Sequence, residues 1–191
     1  VDSLSEKGVT PVNSLEEVAD GSRLLIRSHG VGPDVYDEAE KRRLHIVDAT
    51  CPHVKKAQQD ARKVINAKKV LVIIGEKDHP EVISISQWGG NRAIIIDKVE
   101  EAKEIPYCEH MGVVVQTTFS QSRFKQIESV LAEKTDDLDV YMTICTATRQ
   151  RQEAAVELAK KVDAMIVIGG KNSANTGRLA QVCAEQGCPT Y

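Results

Sequence analysis

The sequence predicts an α/β protein built from repeated units with mostly parallel sheets, and three observations predict it. Short apolar runs alternate with longer runs rich in Ala, Lys, Gln and Glu, the order that strands and helices take in a doubly wound sheet. Val70 to Ile74 is an unbroken apolar run, the kind that is buried on both faces of a parallel sheet. The third observation is a pattern written twice. Cys51 ends the run Ile46 to Cys51, Cys145 ends the run Val140 to Cys145, and a helix-like segment follows each. Twenty-four residues beyond each cysteine, an apolar run (Val70 to Ile74, Ala164 to Ile168) stops at a glycine, Gly75 or Gly169. His79 and Ser173 come four residues later, and Glu81 and Asn175 two beyond those.

The copies lie 94 residues apart, too far for a solenoid repeat, whose period is roughly 20–50 residues. They divide the chain into a complete central α/β unit at 51–144, the C-terminal half of an earlier unit at 1–50 and the N-terminal half of a later one at 145–191. On this reading the first unit's own strand-end cysteine stands upstream of Val1. The chain is then expected to be a piece of a larger protein of three such units.

The elements follow in order. Residues 1–8 read as the end of a helix, with Gly8 just past its C-terminus. Val9 to Val12 is a short strand candidate, and Asn13 to Val18 opens with a helix-cap signature. Leu24 to Ile26 is a strand that ends at Ser28-His29-Gly30. Pro33 to Arg43 is a helix with Pro in its first turn and basic residues at its end. Leu44 to Thr50 is the strand that delivers Cys51. Val54 to Ala67 is a helix, because Val54, Ala57, Ala61, Val64 and Ile65 recur at helical spacing. After the Val70 to Ile74 strand, a Glu76 to Glu81 loop carries His79-Pro80-Glu81. Ala93 to Ile96 and Val113 to Val115 are further strands, and Ser120 or Ser122 can cap a helix to about Glu133. Val140 to Ile144 delivers Cys145, and a helix runs from Gln150 to Lys161. The Ala164 to Ile168 strand then leads through a loop at Gly169 to Thr176 into a helix ending near Gln186.

Composition narrows the function. A 41% hydrophobic content suffices for packed cores, and with 4% aromatics those cores must be aliphatic. Net charge is −3 with no block of five like charges, which argues against a nucleic-acid or anionic-membrane surface. No run of 18 apolar residues occurs. Five cysteines, an odd number without a CxxC pair, imply a reducing cytoplasm rather than a disulfide framework. Cys108, Cys183 and Cys188 read as incidental small residues.

The remaining polar groups gather at strand ends, where ligands bind in parallel sheets. A thiol at a helix N-terminus meets the positive end of the helix dipole, which favours the thiolate that binds iron or zinc. One such cysteine is ordinarily structural, but Cys51 and Cys145 occupy the same place in a repeated unit. Three units could bring three thiolates to one iron–sulfur cluster and leave an iron without a protein thiolate. His79-Pro80-Glu81 could be a plain turn; beside a metal centre it would offer an anion contact and a proton donor. His29 is equally ambiguous. Gly169 to Thr176 is glycine-containing, basic and amide-rich between strand and helix, so its N–H groups can face an anion. It is not a Walker A loop. A zinc hydrolase using Cys51, Cys145 and His29 or His79, or a diphosphate-binding module without catalysis, would fit the same residues.

Six motifs in order carry a resemblance. Ser-His-Gly-Val (28–31), Asp-Ala-Thr-Cys-Pro (48–52), His-Pro-Glu (79–81), Gln-Thr-Thr (116–118), Thr-Ile-Cys-x-Ala-Thr-x-x-Arg-Gln (143–152) and Gly-Gly-Lys-Asn-Ser (169–173) resemble the 4-hydroxy-3-methylbut-2-enyl diphosphate reductases of the IspH/LytB family. The resemblance spans essentially the whole chain. It implies a trefoil of three α/β units around a central cleft that holds a [4Fe–4S] cluster on three cysteines. Cys51 and Cys145 match two of these, and the third lies outside this chain, so the cluster is expected to be absent from the chain alone. The implied activity is reductive dehydroxylation of 4-hydroxy-3-methylbut-2-enyl diphosphate to isopentenyl and dimethylallyl diphosphates in non-mevalonate isoprenoid biosynthesis. A ferredoxin or flavodoxin would supply the electrons. By motif match Glu81 is the proton relay, Thr117 its hydroxyl-bearing neighbour, and His29, His79, Ser173 and Asn175 the diphosphate contacts. Many members have Ser-Ser where this chain has Ser173-Ala174, so one hydroxyl is missing there.

Overall fold

The structure is a computed structural model, and it describes residues 2–171 and 173–191. Val1 of the expected opening helix and Asn172 of the expected anion loop lie outside the described residues.

The described residues form two parallel sheets and their covering helices. A short helix α1 (Asp2–Ser5) comes first, with Gly8 in the left-handed region beyond it at φ 85°. No strand forms over Val9 to Val12, contrary to expectation, and the cap signature at Ser14 starts a single 3-10 turn, Leu15–Glu17. Strand β1 (Arg23–Ile26), helix α2 (Pro33–Lys41) and strand β2 (His45–Asp48) form a parallel β–α–β unit with β1 and β2 in one sheet. Helix α3 (Pro52–Asn66) leads to the second sheet, which contains β3 (Val70–Ile74), β4 (Ile94–Ile96), β5 (Cys108–Val115) and β6 (Thr135–Tyr141). Its order is β4-β3-β5-β6, all pairs parallel. The connecting helices are α4 (Pro80–Trp88), α5 (Val99–Glu104) and α6 (Gln121–Ala132). Helices α7 (Thr146–Ala159) and α8 (Ala174–Ala184) complete the chain.

Strand β3 is buried on both faces for the reason its unbroken apolar run suggests. Val72 and Ile74 face a core with Ala102 of α5 and Phe124, Ile127 and Leu131 of α6. Leu71 and Ile73 face the opposite core with Ala57, Ala61 and Val64 of α3 and Val82 and Ile85 of α4. Alternating side chains need an apolar partner on each side, so neither face can be polar.

Further expectations are corrected. The loop foreseen over Glu76 to Glu81 is shorter, because His79 caps α4 and Pro80 and Glu81 form its first turn. Pro at the first helical position and an acidic first turn are helix-start signals in their own right. The strand before Cys145 ends at Tyr141, and the strand expected over Val113 to Val115 begins already at Cys108. Helix α7 starts at Thr146, earlier than Gln150. Ala164 to Ile168 forms only an isolated parallel bridge, Met165 with Thr190, extended by Val167 N–H to the Tyr191 carbonyl at 2.8 Å.

The connection from this segment through α8 to residue 190 repeats the path of β3–α4–β4. The written-twice pattern is therefore also a twice-built β–α–β path.

Candidate active site

The two pattern cysteines have nearly superimposable backbones. Cys51 caps α3 at φ −56°, ψ 134°, and Cys145 caps α7 at φ −62°, ψ 135°. Each backbone N–H donates at 3.0 Å to a carbonyl in the loop after a neighbouring strand, Ser28 for Cys51 and Thr117 for Cys145. Both thiols are free and half-buried. The loop into Cys51 is drawn tight by Asp48, whose Oδ1 accepts from Thr50 N–H at 2.9 Å and from the Thr50 hydroxyl. Tyr36 and Lys55 hold its other oxygen at 3.2 and 2.7 Å. Burial pushes the Asp48 pKa up, but the Lys55 and Thr50 contacts outweigh it and hold the carboxyl down to about 2. Before Cys145, the buried Thr143 hydroxyl hydrogen-bonds to the Val115 backbone.

The hydrogen bonds from Cys51 and Cys145 lead to the edge of one cleft of about 510 Å³, lined by His29, His79, Glu81, Thr118, Ser173 and Asn175 together with Gly170, Lys171 and Ala174. Thus the four residues singled out as diphosphate contacts and the singled-out acid share one wall-to-wall space, although they lie up to 146 residues apart in sequence. Thr117 stands behind this wall, buried, and Cys51 and Cys145 are not among the lining residues. Lys171 and Thr118 add a cation and a hydroxyl that were not assigned roles; both belong to the motif stretches 169–173 and 116–118.

Two helix N-termini reach this cleft at equivalent places in the two copies. His79 Nδ1 accepts from Glu81 N–H at 3.2 Å, and Ser173 Oγ accepts from Thr176 N–H at 3.3 Å. Exposed backbone donors and the helix dipoles make such termini anion sites. His29 stands edge-on to His79, with ring centroids 5.2 Å apart. Burial, then the neighbouring His79 and Arg27, lowers the His29 pKa below 6.5. Its buried Nδ1, and the buried Oδ1 of Asn175, have no hydrogen-bond partner among the described residues. Polar atoms left in this way are costly unless something else meets them.

Glu81 is 2% exposed. Thr117 N–H donates to Oε1 at 2.6 Å and the Thr117 hydroxyl to Oε2 at 2.8 Å. Burial raises the Glu81 pKa, and the two Thr117 hydrogen bonds and His79 oppose it. The net direction is upward, so this carboxyl keeps its proton to higher pH than an exposed one does.

Gly30 places His29. It has φ 71°, and a Cβ there would meet Gln58 Nε2, Thr50 Cγ2 at 3.0 Å and Ser84 Oγ at 3.1 Å. The loop after β1 therefore lies directly on α3 and α4. Trp88 Nε1–H reinforces this by donating to the Val31 carbonyl at 2.9 Å.

The donor chemistry of Cys51 and Cys145, two free thiols at matched helix caps, fits a thiolate-ligated cluster. Among the described residues no three His, Cys, Asp or Glu side chains group together to hold a metal ion. The zinc reading, which needs a third ligand from His29 or His79, finds no such set here. No helix among the described residues is long and apolar enough to cross a membrane.

Known proteins point the same way. A relative from Caldanaerobacter subterraneus subsp. tengcongensis, named 4-hydroxy-3-methylbut-2-enyl diphosphate reductase, is 42% identical over all of this chain and 67% of its own length. One of the same name from Pelobacter propionicus is 44% identical over 97% of this chain and 66% of its own. The solved E-1-hydroxy-2-methyl-but-2-enyl-4-diphosphate reductase from Plasmodium falciparum superposes on the whole chain with a TM-score of 0.94 at 27% identity, over 61% of its own length. A solved (E)-4-hydroxy-3-methyl-but-2-enyl diphosphate reductase, the terminal enzyme of the non-mevalonate pathway, gives a TM-score of 0.70 at 36% identity, over 68% of its own length. This chain thus spans about two thirds of the length of the curated relatives it matches. The family model described as LytB protein matches residues 1–191, and with relatives above 40% identity across this length, the chain belongs to the LytB family.

Proposed function

We propose that in the whole protein this chain contributes most of the active site of a 4-hydroxy-3-methylbut-2-enyl diphosphate reductase. The observation that carries the reading is the meeting of His29, His79, Ser173 and Asn175 with the buried acid Glu81 in one cleft. The overall change is a two-electron reduction. The allylic C–O bond breaks, the oxygen leaves as water with one proton, and a second proton reaches carbon to give isopentenyl or dimethylallyl diphosphate.

In this reading the anionic end of the substrate lies against the two helix N-termini. His79 and Ser173 cap those helices, Asn175 lies in the first turn of α8, and His29 approaches from the first unit. Lys171 adds the positive charge that the histidines lack when neutral. Glu81 holds the proton for the leaving oxygen, and Thr117 fixes the carboxyl's orientation through both of its oxygens. Desolvation keeps that proton in place, and the low local dielectric strengthens each contact to the substrate. A [4Fe–4S] cluster held by Cys51, Cys145 and a third thiolate from outside this chain would supply low-potential electrons and a Lewis-acid iron. A ferredoxin or flavodoxin in a reducing cytoplasm would deliver the electrons.

The test is anaerobic iron and sulfide analysis of the full-length protein together with a reductase assay on 4-hydroxy-3-methylbut-2-enyl diphosphate. Bound iron and sulfide with formation of both isomeric diphosphates is the expected result. A colourless protein that leaves the substrate unchanged under low-potential reductant would overturn the reading.

A further inference from the structure

Arg178 lies in the second turn of α8, and it is the most buried basic side chain near the cleft, at 6% exposure. Its Nη2 donates to Glu76 Oε1 at 3.1 Å and its Nη1 to Gln181 Oε1 at 2.6 Å. Its guanidinium carbon lies 4.8 Å from the centroid of the buried Phe119 ring. Burial, and Arg123 nearby, lower its pKa, while Glu76 opposes them. A cation in this position is costly to bury, and its partners must offset that cost together. Glu76 and Phe119 do so from the two middle-unit segments that carry cleft groups, 76–81 and 116–119.

The chain of bonds continues inward. Glu76 N–H donates to Gln116 Oε1 at 2.9 Å, and Gln116 Nε2 donates to Thr118 Oγ1 at 3.1 Å. Thr118 lines the cleft. From α7, Gln152 Nε2 donates to the Phe119 carbonyl at 3.1 Å, so the third unit grips the same residue by ring and by backbone.

We propose that Arg178 is a positioning residue whose guanidinium clasps α8 to these two segments and so sets the distance across the cleft between Ser173 and Asn175 on one side and His79, Glu81 and Thr118 on the other. The proposal rests on the reading of the cleft as a diphosphate site. Arg178 touches neither wall's inner surface; it acts through α8 and through Glu76.

The experiment uses the full-length holoprotein with two readouts, steady-state kinetics and calorimetric titration with inorganic pyrophosphate. Arg178→Met is expected to raise KM and weaken pyrophosphate binding roughly tenfold, the size of coupling between directly bonded groups, while kcat changes far less. Arg178→Lys restores charge but not the planar fork or the stacking, so it recovers only part of the loss. Combining Arg178→Met with Asn175→Ala is expected to cost less than the two losses added. Glu76→Gln, at a partly exposed partner that tolerates change, is expected to weaken pyrophosphate binding in the same direction and covers the case of an Arg178→Met protein that does not fold. Wild-type KM and pyrophosphate affinity in these variants would overturn the clasp and leave the cleft assignment standing. A wild-type protein that neither binds pyrophosphate nor turns over would overturn both.

Discussion

Thr117 meets the carboxyl of Glu81 with both of its donors, backbone N–H to one oxygen at 2.6 Å and hydroxyl to the other at 2.8 Å. A single residue thereby fixes the plane of an acid that burial would otherwise leave without partners. The acid is held and solvated by the same neighbour, and it lines the cleft.

Glu81→Gln should therefore preserve the local geometry, since the amide can accept from Thr117 N–H and donate to its hydroxyl. Turnover is expected to fall by about 10²–10⁴-fold, the range for loss of a positioned proton donor. Pyrophosphate affinity should stay within about threefold, because uniform binding is untouched. The folded-state pKa of Glu81 is raised, so its stability contribution is full below pH 4.5 and is lost as pH rises through the folded value. The Gln variant should lack that loss and unfold no more easily than wild type at pH 7. Near-normal turnover in anaerobic assays would refute the role.

Thr117→Val removes the hydroxyl donor and keeps the backbone one. The lost hydrogen bond had favoured the charged carboxylate, so the Glu81 pKa should rise further. The limb of the rate profile that reports Glu81 should move to higher pH, which a pH series of kcat would detect. An unshifted limb would separate Thr117 from the acid.

Asp48→Asn should cost about 1–2 kcal/mol of stability at pH 7, because a carboxyl held at about 2 instead of 3.8 favours the folded state. That contribution is present above pH 3.8 and disappears as pH falls through 2. Urea unfolding at pH 7 and at pH 3 should therefore show a smaller gap between variant and wild type at the lower pH.

Gly30→Ala combines a φ of 71° with a Cβ placed against Gln58, Thr50 and Ser84. A loss of about 2 kcal/mol or more is expected from left-handed strain and overpacking together. Thermal unfolding measures it. A melting temperature equal to wild type would mean that the 28–31 loop can lift off α3 freely.

This chain alone, reconstituted anaerobically with iron and sulfide, should retain well under the four irons of a complete [4Fe–4S] cluster, because it offers two matched thiols. In the full-length protein Cys51→Ser and Cys145→Ser should each lower bound iron to a similar extent. Colorimetric iron and sulfide determination decides both. A stoichiometric cluster on this chain would disprove the account of the ligands.

Most of the architecture was legible because the relevant signals are local. The apolar run of Val70 to Ile74 specifies a strand buried on both faces, and the spacing of Val54, Ala57, Ala61 and Val64 specifies the buried side of α3. The doubled pattern led to the equivalence of Cys51 with Cys145 and of His79 with Ser173. Less legible were elements whose signals conflict. Pro80 after His79 reads as a turn or as a helix start, and the tertiary contacts of Val82 and Ile85 decide for the helix. The Asp-rich stretch Thr135 to Asp139 hid the beginning of β6, because pairing with β5 outweighs weak strand propensity there. Arg178 could not be found from sequence, since its partners Glu76 and Phe119 are brought to it only by the packing of α8 on the middle unit.

The cap at His79 has a consequence for recognition. Because Nδ1 accepts from Glu81 N–H, the neutral ring carries its hydrogen on Nε2. Folding has thus already selected the tautomer, and under the proposed diphosphate reading the ring would meet an incoming oxyanion as a donor without having to rearrange. An Asn at this position could still start the helix while offering a shorter, differently aimed amide, so secondary structure and ligand selection could be uncoupled at one side chain.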